Sequence, residues 1–68
     1  MGMGIKRQFG KKLRALRIEK SYSQEELGFK AGLDRTYISG IERGIRNPSL
    51  ENISKLAKAL GVPVKELF

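Results

Sequence analysis

Polar and charged side chains crowd one short stretch of this chain. In LDRTYISGIERG, residues 33–44, the apolar residues Leu33, Ile38 and Ile41 recur at helical spacing. A helix through them puts Arg35, Thr36, Ser39 and Arg43 on the outward arc, with Tyr37 at its flank. Arg and Thr at the start of a helix suit the major groove of DNA. A guanidinium makes a bidentate bond to guanine, and a threonine offers its hydroxyl or meets a thymine methyl. Gly40 sits mid-helix, where glycine costs about 1 kcal/mol against alanine. Two reasons fit it: a bare surface that lets the backbone lie closer to DNA, or tight packing against a neighbouring helix.

The surrounding elements must hold that arc in place. Residues 6–19 read as a helix with Phe9, Leu13 and Leu16 inward and Lys11, Lys12 and Arg14 outward. Ser23 is an expected N-cap, and SQEE is a capping box closed by Glu26. Leu27 and Ala31 mark the buried side of this second helix, and Gly32 ends it. Asp34 caps the third helix, and RGIRNPS breaks the pattern with Gly44, Asn47 and Pro48. Ser49 caps a fourth helix with an apolar stripe of Leu50, Ile53, Leu56, Ala57 and Leu60, stopped by Gly61. Pro63 fits the first turn of a short fifth helix, PVKELF. Helix, glycine-centred turn and helix between residues 24 and 43 describe a helix-turn-helix, with Gly28 where the two helices cross.

Composition narrows the chemistry. The 68 residues suffice for one small core. Residues 1–4 are expected to lie outside the fold, as a disordered start or a cloning scar, with 5–68 forming a single domain. Cysteine and histidine are both absent. No disulfide, cysteine or histidine metal site, or histidine base is therefore available, and neither an enzyme nor a cofactor is expected. Lys and Arg number 14 against 7 acidic residues, a net charge of +7 that attracts polyanions. No apolar run approaches the roughly 20 residues of a membrane span. The chain reads as cytoplasmic, with no membrane partner.

The segment SQEELGFKAGLDRTYISGIERGIRNPSLENISKLAKALGV resembles the XRE/Cro-type helix-turn-helix family, which includes the lambdoid phage repressors. Within it, LDRTYISGIER followed by RN resembles the controller proteins of restriction-modification systems. The resemblance implies an all-α fold. It would be a compact five-helix lambda-repressor-like DNA-binding domain, with the helix-turn-helix at its second and third helices. It implies a symmetric homodimer on a palindromic double-stranded operator, regulation of restriction-modification genes, and RNA polymerase as a further partner. Residue by residue, it gives Arg35, Thr36, Tyr37 and Arg46 to the bases, and Gln24, Ser39 and Asn47 to the phosphate backbone, where Arg43 on the outward arc is expected to join them. It also suggests that Arg17 and Glu42 meet as a structural ion pair at the core edge. Ser21 departs from the pattern, which has glycine there. It must bear a left-handed conformation or change the turn.

Leu60, Val62, Val64, Leu67 and Phe68 cluster in the last nine residues. Leu60 and Leu67 are the expected core members. Val62, Val64 and Phe68 remain for a dimer interface, or else close the monomer's own core. A competing function is a protein-interaction module of the same fold, antitoxin-like or coactivator-like, that reads no bases.

Overall fold

The computed structural model describes residues 4–68. Four α-helices follow one another: α1 (Ile5–Glu19), α2 (Gln24–Ala31), α3 (Arg35–Glu42) and α4 (Leu50–Leu60). A 3-10 turn, Val64–Leu67, closes the chain. The class is all-α, but the expected fifth helix is only this turn. Its bonds run from Glu66 N to Pro63 O (3.0 Å) and from Phe68 N to Lys65 O (3.2 Å). Such a short segment closes i to i+3 bonds more readily than α-helical ones. Pro63 stands at its N-cap.

Local chemistry sets the helix starts. Ser23 Oγ accepts from Glu26 N at 2.9 Å, and Ser23 N donates to Glu26 Oε1 at 2.8 Å, a complete capping box. Ser49 Oγ accepts from Asn52 N at 3.1 Å. Gly4 is the N-cap of α1, its carbonyl accepting from Gln8 N at 3.0 Å. Residues 1–3 lie outside the described residues.

One apolar core joins the helices. Phe9 and Leu13 of α1, Leu27 and Ala31 of α2, and Ile38 and Ile41 of α3 meet Ile53, Leu56, Ala57 and Leu60 of α4. Leu67 seals the end, fully buried. Leu50 keeps the spacing of the α4 stripe yet is 85% exposed. As the first helical residue, it precedes the part of α4 that packs on α2 and the 3-10 turn.

Ser21 adopts φ 62°, the only positive value at a non-glycine residue among those described. The turn requires it, since Tyr22 N must reach back to Arg17 O at 3.0 Å. A side chain in this conformation carries a cost of about 1–2 kcal/mol, which glycine avoids at some expense in unfolded-state entropy. Ser21→Gly should therefore stabilise the domain by a net of about 0.5–1 kcal/mol. Thermal denaturation should show a midpoint higher by a few degrees; an unchanged or lower midpoint would show that the serine is unstrained.

Candidate nucleic-acid interface

The turn between α2 and α3 is built by glycine at two points. Gly32 caps α2 at φ 71°, and Leu33 N then bonds Gly28 O at 2.8 Å. A Cβ on Gly28 would stand 2.5 Å from Leu33 O. It is the turn backbone, rather than a helix crossing, that needs Gly28 bare.

Beyond this turn, α3 presents its first turn outward, with Arg35 and Thr36 both exposed. Asp34 caps it by accepting from Thr36 N at 2.8 Å and from Thr36 Oγ1 at 2.7 Å. The hydroxyl bond and then the backbone bond from Thr36 hold the Asp34 carboxyl below its usual value of 3.8. Because the Thr36 hydroxyl donates to Asp34, its oxygen lone pairs and its methyl group are what the side chain leaves for other contacts. Ser39 is half-buried, while Arg43, Arg46 and Asn47 are exposed at the end of α3 and in the following loop.

Gly40 is buried, not bared toward solvent. The stem of Arg46 crosses it, and a Cβ there would collide with Arg46 Cγ. Neither reason weighed from the sequence holds: the glycine makes room for a side chain from the next loop. The Arg46 guanidinium carbon lies 5.9 Å from the centre of the Tyr37 ring, within cation–π range. Tyr37 is half-buried, and its Oη accepts from Asn52 Nδ2 at 3.0 Å. Asn52, on α4, escaped sequence reasoning because nothing in its spacing links it to Tyr37.

An ionic cluster ties this surface to the rest of the fold. Arg17 Nε lies 2.6 Å from Glu42 Oε2, with the two side chains 12% and 3% exposed. Arg17 Nη2 donates to Glu42 Oε1 at 3.0 Å, and Arg17 Nη1 donates to the Tyr22 carbonyl at 2.7 Å. Gln24 Nε2 donates to Glu42 Oε1 at 3.1 Å. One Gln24 amide proton is therefore committed inside the protein.

At the opposite end, Val62 is half-buried, whereas Val64 and Phe68 are 43% and 60% exposed. The Phe68 ring packs on Phe9, centroids 5.2 Å apart. Among the described residues, no helix is long and apolar enough to cross a membrane.

A short helix-turn-helix, tied to α1 by a part-buried ion pair and presenting Arg, Thr and Tyr from its second helix, defines a DNA-binding transcriptional regulator rather than an enzyme. The family description that matches is "Helix-turn-helix", over residues 13–67. The chain belongs to this helix-turn-helix family. It is 56% identical over 69 residues to the control protein C.BamHI of Bacillus amyloliquefaciens, covering 100% of this chain and 85% of that one. It is 51% identical over 65 residues to the control protein C.MunI of a Mycoplasma species, covering 94% and 88%. The crystal structure of the restriction-modification controller protein C.AhdI from Aeromonas hydrophila superposes with a TM-score of 0.91. It is 56% identical, covering 93% of this chain and 96% of that one.

Proposed function

We propose that this chain is a controller of restriction-modification genes that binds a palindromic operator as a homodimer. The observation that carries the reading is the placement of Arg35 and Thr36 on the exposed first turn of α3, in a chain alike over nearly its whole length to controller proteins. Arg35, Thr36, Tyr37 and Arg46 read bases, while Gln24, Ser39, Arg43 and Asn47 grip phosphates. A contact with RNA polymerase belongs to the same reading where an operator adjoins a promoter.

The test begins with operators selected from a randomised duplex pool. Binding should survive excess random competitor and weaken steeply with salt. Arg35→Ala should cost about 1–3 kcal/mol of discrimination at one base pair and leave the thermal midpoint unchanged. Unaltered discrimination would remove Arg35 from the readout. Binding no tighter than to competitor would favour the protein-interaction module.

Val62, Val64 and Phe68 form the dimer surface in this proposal. Two-fold pairing would set the recognition helices about 34 Å apart, one turn of DNA. Val64→Glu should give a monomer by sedimentation equilibrium at micromolar concentration, with operator affinity falling about tenfold or more. Val64 is the informative site because Phe68 also packs on Phe9. A wild-type monomer that binds a full palindrome without cooperativity would sink the dimer.

A further inference from the structure

Arg46 is the only proposed base-reading residue outside α3, and loop arginines ordinarily sample many rotamers. That freedom is lost on binding, so a side chain held in place beforehand binds better and discriminates more sharply. Here the restraint begins at the backbone. Ile45 N and Arg46 N both donate to the Gly40 carbonyl, at 2.9 and 3.1 Å. It continues along the stem, which occupies the space a Gly40 side chain would fill. It ends at the guanidinium, 5.9 Å from the Tyr37 ring centre.

The Tyr37 ring needs its own anchor to serve as a platform. One side packs on the core. Its Oη is fixed by Asn52 Nδ2 at 3.0 Å. Asn52 is fixed in turn by the α4 start, where its backbone N–H donates to Ser49 Oγ at 3.1 Å. Because Asn52 donates, the phenol oxygen is the acceptor in that bond and its own proton stays free. The phenol can therefore still donate, as the Arg46 guanidinium does. Two donors side by side suit an edge made of acceptors, which in the major groove is guanine N7 and O6.

We propose that Asn52 and Gly40 are positioning residues for base reading: Asn52 fixes Tyr37, and the bare Gly40 seats Arg46 against it, so that the pair is set for one guanine. This rests on Arg46 being a base-reading residue. A positioning role differs from a structural one in what it changes. Lost structure weakens binding to every sequence alike, whereas lost positioning lowers the ratio between the right and wrong base at a single position.

The experiment compares wild type with Arg46→Ala, Asn52→Ala, Gly40→Ala and the Arg46→Ala/Asn52→Ala double variant. Each is tested on the selected operator and on its single-base-pair variants, with thermal midpoints measured alongside. Arg46→Ala should lose about tenfold in discrimination at one G·C pair. Asn52→Ala and Gly40→Ala should lose discrimination at that same pair and elsewhere match wild type. Asn52→Ala should add nothing once Arg46 is gone. If Gly40→Ala fails to fold, Asn52→Ala decides alone. If Arg46→Ala loses discrimination while Asn52→Ala keeps it, the positioning role is overturned and the base contact stands. If Arg46→Ala itself discriminates as wild type does, the base contact falls and the positioning role falls with it.

Discussion

Glu42→Ala should cost about 3–5 kcal/mol, enough to leave so small a domain barely folded. The carboxylate has little contact with water: its side chain is 3% exposed and that of Arg17 12%. Both Glu42 oxygens accept from Arg17, at 2.6 and 3.0 Å, and Gln24 adds a third bond at 3.1 Å. Alanine would leave the Arg17 guanidinium largely buried, with only the Tyr22 carbonyl opposite it. Such a stranded charge, rather than the lost attraction itself, sets the size of the effect. A solvent-exposed pair would be worth less than about 1 kcal/mol. Glu42→Gln keeps the shape and an acceptor but not the charge, so its midpoint should fall between the two. The cluster joins α1, the turn at Tyr22, the start of α2 and the end of α3. Surviving Glu42→Ala protein should therefore also bind the operator more weakly. A melting midpoint within a degree or two of wild type would mean that solvent already screens this pair.

Gly10→Ala should destabilise by about 3 kcal/mol, although alanine is the better helix former. A Cβ on Gly10 would strike the Ile41 carbonyl oxygen and come within 2.8 Å of the Glu42 carbonyl oxygen. Both obstacles are backbone at the end of α3, and backbone cannot swing aside as a lysine or arginine stem does. To relieve the clash, α1 must move off α3. That opens the core around Phe9, Leu13, Ile38 and Ile41 and strains the Arg17–Glu42 pair beside it. The helix propensity gained, about 1 kcal/mol, does not offset this. Denaturant titration would read the loss as a lower midpoint with an unchanged slope. A variant as stable as wild type would show that α1 can shift without cost.

Gly10 carries information that only the folded chain makes explicit. A glycine inside an amphipathic run is itself a signal, since alanine would hold the helix better. The signal says that something lies close, but not what. Gly40 carries the same signal. Both candidate answers placed the neighbour on another helix or on DNA, whereas the neighbour is Arg46, six residues on in the same chain. Leu50 is a different case, 85% exposed. Its spacing continues the α4 stripe, but spacing fixes only the direction a side chain points, and burial also needs something there to cover it.

Local rules were enough where the partners are near in sequence. Ser23 with Glu26, Asp34 with Thr36, and Ser49 with Asn52 are pairs within three residues. Backbone geometry alone brings such pairs together, so the helix starts were legible. The helix-turn-helix register was legible for the same reason, because Gly32 marks the turn directly, whereas the contact of Gly28 with Leu33 O appears only once the turn has folded back. The charge excess and the outward Arg35 and Thr36 came directly from composition and helical periodicity. Tertiary structure alone decided the contacts between residues far apart in the chain. Asn52 reaches Tyr37 across 15 positions and Arg17 reaches Glu42 across 25. The ion pair entered the sequence reading only through family resemblance, and the Asn52 bond did not enter it at all. Such pairs form only when independent helices pack at a particular angle and depth. That angle is set by the summed shape of the core and by bare positions such as Gly10, which no local pattern of residues encodes.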